Sequence, residues 1–90
     1  MTLKERADGA VRVLTVRVEP GREIGTHRHE REWELHQVLE GRGYLETEED
    51  TFPYEPGAGT RIPPGVSHRV AAGPEGFLLL AVFAPQDASA

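Results

Sequence analysis

The 90-residue chain contains no cysteine. This absence excludes disulfide bonds, a thiolate nucleophile and every zinc or iron–sulfur site that needs cysteine ligands. A metal site would have to use nitrogen and oxygen ligands instead. Positive charge is also scarce, because 10 Lys and Arg face 15 Asp and Glu, for a formal net charge of −5. This balance offers no electrostatic footprint for nucleic acid or for an anionic membrane, so we expect a small molecule or another protein as the partner.

Long hydrophobic runs are missing as well. The longest strongly apolar stretch, residues 77–84, is far shorter than the roughly 20 residues that span a bilayer, and the N-terminus lacks the apolar region of a secretion signal. We therefore expect a cytoplasmic protein. Its length predicts one domain, residues 1–90, with a core at about 10–84 and loose termini at 1–9 and 85–90.

Short segments rich in β-branched and apolar residues alternate with turn residues along the chain. The candidate strands are residues 11–18, 24–29, 33–39, 43–47, 51–55, 60–62, 67–71 and 77–83. The candidate turns are Pro20-Gly21, residues 40–43, Pro56-Gly57, residues 63–65 and residues 73–76. Such regular spacing favours an all-β sandwich or closed barrel, and no segment has a sustained helical period. In the first strand the apolar phase slips between Val13 and Leu14, which predicts a bulge or burial on both faces.

Three of the four histidines fall into two spaced patterns. The patterns are Gly21-x5-His27-x-His29-x4-Glu34-x6-Gly41 and Gly57-x5-Pro63-x-Gly65-x2-His68. Alternate residues of a strand share a face, so His27 and His29 form a chelating pair if both lie in one strand. Glu34 opens an apolar strand whose inward face would also carry His36, and a carboxylate there is costly to bury unless it pairs with a cation. His68 follows a proline-rich turn that would fix where its imidazole enters.

These two patterns resemble the two signature motifs of the cupin superfamily, over residues 21–72. The resemblance implies a double-stranded β-helix, or jelly-roll, barrel that is often a homodimer. It also implies one metal ion in the barrel mouth, with His27, His29, Glu34 and His68 as its protein ligands. The chain departs from the family at Ala72, where asparagine is common, and at Ala58, where an acidic residue is common. Neither position is a metal ligand in the family.

Three imidazoles and one carboxylate suit a divalent transition metal, namely Fe, Mn, Ni, Co or Zn, better than Mg²⁺ or Ca²⁺. Four protein ligands on a six-coordinate ion leave two positions, which a substrate oxygen and dioxygen, or a bidentate substrate, can share. The ion can then act as a Lewis acid or as a redox centre. The ligand set does not choose between these two roles.

The remaining polar and aromatic residues have simpler interpretations. His36 is expected to be a packed, hydrogen-bonded residue, with a role as catalytic acid or base beside the metal as the alternative. The run of residues 46–50 is expected to be a solvated hairpin end rather than a second metal site. The aromatic residues are expected in the core or a dimer interface, and one of them in the pocket: Trp33, Tyr44, Phe52, Tyr54 and Phe77.

Fold and ligands do not determine a reaction. Our first hypothesis is a small metal-dependent enzyme, dioxygenase-like, that acts on a polar small molecule. The alternatives are a non-catalytic sensor or ligand-binding module and a metal-assisted isomerase of a sugar or keto acid. An enzyme should have an ionisable or hydroxyl-bearing residue beside the metal, whereas a binding module should have a pocket lined only by apolar side chains.

Overall fold

The computed structural model describes residues 11–86, which form six β-strands and no helix. The strands are β1 (Arg12–Val18), β2 (Glu23–His27), β3 (Glu32–Thr47), β4 (Thr51–Tyr54), β5 (Gly59–Ile62) and β6 (His68–Pro85). The described part of the chain therefore offers no helix that could cross a membrane.

The two long strands β3 and β6 pair with each other and belong to two layers at once. In one layer β1 pairs with the second half of β6 and β5 with the first half of β3, so the order is β1-β6-β3-β5. In the other layer β2 pairs with the first half of β6 and β4 with the second half of β3, in the order β2-β6-β3-β4. All these pairings are antiparallel. The predicted all-β jelly-roll barrel is confirmed.

The prediction of turns at residues 40–43 and 73–76 was wrong, and with it the division of β3 and β6 into four short strands. Both segments lie inside continuous strands. Between the pairs Gly43–Ala72 and Gly41–Phe77, residues 73–76 of β6 face only Arg42 of β3. This bulge of four residues against one bends both strands from one layer into the other.

Glycine permits the bend because the two backbones almost touch there. A Cβ atom added to Gly41 would lie 2.1 Å from the carbonyl oxygen of Gly76. Both residues also have positive φ, 81° and 74°, which side-chain-bearing residues rarely adopt. Glycine-rich sequence occurs in both turns and bulges. The long-range pairing of β3 with β6 makes these two segments a bulge rather than two turns.

The three predicted Pro-Gly turns are confirmed. In each, the residue after glycine donates its N–H to the carbonyl of the residue before proline: Arg22 to Glu19, Ala58 to Glu55 and Val66 to Pro63. The glycines have φ of 69°, 91° and 84°, the value that the third residue of a type II turn requires. The third turn leads directly into β6 and so fixes the position of His68.

Side chains alternate between the barrel interior and the outer face. Along β3, Glu34, His36 and Val38 are buried, whereas Leu35 and Leu39 are 38 % and 44 % exposed. The interior is filled by one apolar cluster: Val18, Val38, Leu45, Tyr54, Ile62, Val70, Phe77, Leu79, Ala81 and Phe83. The core thus extends from the bend, at Phe77, up to Ile62 and Phe83, the two register partners of Glu34.

The apolar phase slip in β1 is explained without a bulge. Its register with β6 is unbroken, and Leu14 packs against the core while Val13 pairs with Val82 on the outer face. Both faces of β1 are therefore partly covered, the second of the two expected explanations. At the end of β6, Pro85 pairs with Glu32, and Gln86 N–H donates to the carbonyl of Arg31. The loose termini were predicted at residues 1–9 and 85–90, and of these residues 1–9 and 87–90 lie outside the described part of the chain.

Candidate metal centre

Glu34 stands at the centre of the site, and its two carboxylate oxygens have different partners. Oε1 lies 3.1 Å from Nε2 of His68 and 3.3 Å from Nε2 of His29. Oε2 lies 2.5 Å from Nε2 of His36. The side chain is buried because it points into the barrel from the first half of β3, which is flanked by β6 and β5. One oxygen therefore faces two predicted metal ligands and the other faces away from them.

His27 and His68 come from neighbouring strands of the opposite layer. They are register partners of β2 and β6, and their ring centroids are 4.3 Å apart. Nδ1 of His27 donates to the carbonyl of Gly25 at 2.8 Å, and Nδ1 of His68 donates to the carbonyl of Val66 at 3.0 Å. A carbonyl can only accept, so each Nδ1 carries a proton and each Nε2 can offer its lone pair to a metal.

His29 lies just beyond β2, not in it as predicted. Pairing of β2 with β6 ends at His27, because its partner His68 is the first residue of β6. The loop is held instead by Gly65 N–H, which donates to the carbonyl of His29 at 2.8 Å. The His29 ring contacts Phe83 edge to face, at a centroid distance of 5.1 Å. A loop thus places the second histidine of the pair.

The donor atoms fit a metal ion. His27, Glu34 and His68 offer ligand atoms that all lie within 4.8 Å of one another. His29 stands farther off, with ring centroids 5.2 Å from His27 and 6.2 Å from His68. Its Nε2 is nevertheless buried and makes no hydrogen bond among the described residues. Oε1 of Glu34 lies 3.3 Å from this nitrogen but not in hydrogen-bond geometry, and a cation bound between the two atoms would satisfy both.

The site is strongly polarised. Burial by itself raises the pKa of Glu34, but hydrogen bonds and positive charge from His36 and His68 outweigh it and hold this pKa far below its ordinary 4.5. Burial lowers the pKa of His68, but the hydrogen bonds to Glu34 and to the Val66 carbonyl prevail and raise it above 6.5. The pocket thus contains an ionised carboxylate that attracts positive charge.

His36 is buried, as expected, and both of its ring nitrogens are hydrogen-bonded. Nδ1 lies 2.7 Å from the hydroxyl of Tyr54, which in turn lies 2.5 Å from Oγ1 of Thr60. Tyr54 was one of five aromatic residues predicted for the core or a dimer interface, with one unspecified member in the pocket, and Thr60 was not predicted as a site residue. No local pattern marks them, because His36 and Tyr54 are 18 residues apart in the chain. The hydroxyl-bearing residues beside the site are therefore a structural finding.

A family model provides the decisive comparison, because the model of the cupin domain matches residues 14–83. The chain belongs to the cupin family. This match includes all four predicted ligands and confirms the resemblance of the two motifs. The comparison of this cupin with curated proteins returned no match.

Solved structures agree on the fold. KdgF from Halomonas sp. is 21 % identical, with a TM-score of 0.84, over 94 % of this chain and 77 % of that one. A predicted oxalate decarboxylase from Thermotoga maritima is 27 % identical, with a TM-score of 0.77, over 82 % of this chain and 65 % of that one. A cupin protein from Bacteroides fragilis is 18 % identical, with a TM-score of 0.80, over 88 % of this chain and 69 % of that one.

Proposed function

We propose that this cupin is a metal-dependent enzyme that binds one divalent transition metal through His27, His29, Glu34 and His68 and acts on a polar small molecule. One observation carries the proposal. Imidazole nitrogens face Oε1 of Glu34, while Oε2 is held by a further residue, His36. In metal sites a carboxylate ligand typically accepts a hydrogen bond from a residue that does not bind the metal, and this hydrogen bond orients the ligand.

The donor set defines the class of metal. Three imidazoles with one carboxylate suit Fe, Mn, Ni, Co or Zn, and the oxygen-seeking Mg²⁺ and Ca²⁺ poorly. Bound at this site, such an ion would supply Lewis-acid or redox chemistry. The protein prepares the ligands for the ion: the carbonyls of Gly25 and Val66 hold His27 and His68 in one tautomer, and hydrogen bonds from His36 and His68 keep Glu34 ionised.

His36 and its hydroxyl partners favour an enzyme over a binding module, since the surroundings of Glu34 are not purely apolar. We propose dioxygenase-like chemistry as the first reaction class to test, with metal-assisted isomerisation of a sugar or keto acid as the alternative. The neighbour described as a predicted oxalate decarboxylase supports a small acid rich in oxygen as the substrate class.

Elemental analysis of protein purified without an affinity tag tests the metal site first. We expect about one transition-metal ion per chain in the wild type and a large loss in His27→Ala/His29→Ala. Arg28→Ala is the matched control, because the exposed Arg28 lies between the two histidines and pairs only with Glu30 among the described residues. Metal content that is equally low in all three proteins would refute the site.

The reaction class is tested with the loaded protein. Small carboxylic acids, keto acids and sugars are incubated with Fe(II)-loaded protein while dissolved oxygen and product masses are followed. Oxygen uptake that depends on both the substrate and His29 supports the dioxygenase. Conversion without oxygen uptake supports the isomerase. Saturable binding of a compound without conversion, under any metal, supports the sensor or binding module.

We also propose that the cupin forms a homodimer through the outer face of the layer β1-β6-β3-β5. That face carries the exposed Leu35 and Leu39 on β3, Leu80 and Val82 on the neighbouring β6, and Val13 on β1. A small barrel gains much by covering such a face with a second copy. Sedimentation at micromolar concentration should give twice the 9.9 kDa mass of the chain, and Leu80→Glu should give the monomer. A wild type that sediments only as a monomer would contradict the dimer.

A further inference from the structure

We propose that Tyr54 and Thr60 are positioning residues that act through His36 to hold Oε2 of Glu34 away from the metal, so that the carboxylate binds the ion through Oε1 alone. This inference rests on the proposed metal site. It assigns a role to a buried chain of hydrogen bonds that the metal ligands themselves do not require. The chain, Thr60–Tyr54–His36–Glu34, is called the relay below.

The relay is continuous. His36 Nε2 lies 2.5 Å from Oε2 of Glu34, His36 Nδ1 lies 2.7 Å from the Tyr54 hydroxyl, and that hydroxyl lies 2.5 Å from Oγ1 of Thr60. Glu34, His36 and Tyr54 are all buried. Buried polar groups that satisfy one another in this way fix a single arrangement, because any break leaves an unpaired group in the interior.

The direction of the relay follows from what each group can donate. Two bare acceptors would repel each other at the 2.5 Å that separates Nε2 of His36 from Oε2 of Glu34, so a proton lies between them, and Nε2 donates it to the carboxylate oxygen. When the ring of His36 carries only this one proton, Nδ1 is an acceptor, and the hydroxyl of Tyr54 is the donor that satisfies it. Burial raises the pKa of Tyr54 to about 12, and the charge of Glu34 adds to this rise, so the phenol keeps its proton. With the phenol proton directed at His36, Oγ1 of Thr60 donates to the phenol oxygen and completes the relay.

The two oxygens of Glu34 are thereby given separate tasks. Oε1 faces Nε2 of His29 and of His68, and Oε2 is occupied by His36. Without the phenol as donor, the Nε2–H tautomer of His36 would leave Nδ1 as a buried acceptor without a partner. The other tautomer would satisfy nothing at Oε2, which would become free to join the coordination sphere. The relay thus favours a monodentate carboxylate and leaves a metal position for substrate.

Strand pairing explains why these residues meet. Thr60 is the register partner of His36 across β3 and β5, so both side chains lie on one face of that layer. Tyr54 reaches them from β4 in the other layer, and its ring also packs against Phe77. Because this packing gives Tyr54 a structural role as well, the test must separate the hydroxyl from the ring.

The test uses Tyr54→Phe and Thr60→Val, which keep the shape of each side chain, and Thr60→Ser, which restores the hydroxyl. Tyr44→Phe is the control, because the Tyr44 hydroxyl contacts only Arg69 among the described residues, at 3.5 Å. Three properties are measured: the ¹⁵N resonances of the His36 ring in metal-free and Zn(II)-loaded protein, the Zn(II) affinity, and the visible absorption of Co(II)-loaded protein. The absorption reports the coordination number.

In the wild type and in Tyr44→Phe we expect the Nε2–H tautomer of His36. In Tyr54→Phe we expect a mixture of tautomers, a changed Co(II) spectrum and about tenfold weaker Zn(II) binding, at the low end of the effects of outer contacts on metal affinity. Thr60→Val should show the same changes in weaker form, and Thr60→Ser should restore the wild-type values. Thermal unfolding of each variant establishes that the ring packing is intact.

A wild-type His36 tautomer together with a wild-type Co(II) spectrum in Tyr54→Phe would overturn the proposal. The same holds if Thr60→Ser and Thr60→Val behave identically. The tautomer of His36 in metal-free protein tests the relay independently of metal binding. If neither the wild type nor any variant binds metal, the proposed metal site is refuted. If Tyr54→Phe fails to fold, Thr60→Val against Thr60→Ser decides.

Discussion

Removing the metal should reverse the direction in which acid changes the stability of the protein. The perturbation is treatment with EDTA, followed by unfolding at pH 7.5, 6.5 and 5.5. In the metal-free protein the ionised Glu34 pairs with His68, at 3.1 Å, inside the barrel. In the loaded protein the same histidine would have to give up its proton. The two states therefore respond to protons with opposite sign.

The sign for the metal-free protein follows from two pKa shifts. The pKa of Glu34 is lowered in the folded state, so its contribution to stability is present above the ordinary value of 4.5 and is lost as pH falls below it. The pKa of His68 is raised, so its contribution is present below 6.5 and is lost as pH rises through the higher folded value. The Glu34–His68 pair therefore stabilises most between about pH 4.5 and 6.5, and stability should fall from pH 6.5 to 7.5.

The loaded protein should behave oppositely, because coordination requires neutral imidazoles. Metal bound only by the folded state adds about 4 kcal/mol when free metal is a thousandfold above Kd. Below the raised pKa of His68, each pH unit makes metal binding tenfold weaker through this one residue. Between pH 6.5 and 5.5 the difference in unfolding free energy between loaded and metal-free protein should shrink, by up to about 1.4 kcal/mol through this residue.

Chemical denaturation of Zn(II)-loaded and EDTA-treated protein at the three pH values measures this difference. Arg28→Ala should follow the wild type, and His27→Ala/His29→Ala should follow the metal-free protein whether or not zinc is added. Equal stability of loaded and stripped wild type at every pH, with the double variant indistinguishable from both, would refute the metal site. A metal-free protein that gains stability from pH 6.5 to 7.5 would refute the Glu34–His68 pair.

Two further predictions concern single residues. His36→Ala should keep near full metal content at saturating metal, because His36 is not a proposed ligand. Metal analysis of His36→Ala beside His29→Ala measures this. An equal loss of metal in both variants would mean that the ligand set is wrong. Gly57→Ala should lower the free energy of unfolding by about 1 to 2 kcal/mol, because the positive φ of Gly57 disfavours a side chain but the space around it is open. Gly41→Ala should lower the free energy of unfolding clearly more, because its Cβ would overlap the carbonyl oxygen of Gly76. Urea unfolding of both variants measures this difference, and equal losses would contradict the close approach of β3 and β6.

The parts of the fold that could be predicted from the sequence depend on local chemistry. A proline followed by a glycine sets the backbone of a type II turn within four residues, and all three such turns formed. The alternation of Glu34, His36 and Val38 likewise predicted one inward face of β3. The two spaced histidine patterns predicted the family, because the ligand spacing is fixed by the strands and turns between the ligands.

The parts that could not be predicted depend on pairing between distant residues. Whether a glycine-rich segment turns back or bulges is decided by its partner strand, and residues 73–76 form a bulge within β6 because β3 runs beside them. The position of His29 depends on where pairing of β2 with β6 stops, at His27 and His68. The relay partners of His36 come from β4 and β5, and no spacing within one segment links them.

The location of the site follows from the way in which two long strands are folded over. β3 and β6 bend at Gly41 and Gly76, so the continuous chain joins the two layers at that end. Glu34 lies on one layer, seven residues before the bend in β3, and His68 lies on the other, at the opposite end of the ladder. The fold brings these two ends together at the mouth, where no strand crosses between the layers among the described residues. An ion held by Glu34 from one layer and by His27 and His68 from the other would close this open end, and this physical coupling is why metal binding and barrel stability should be lost together.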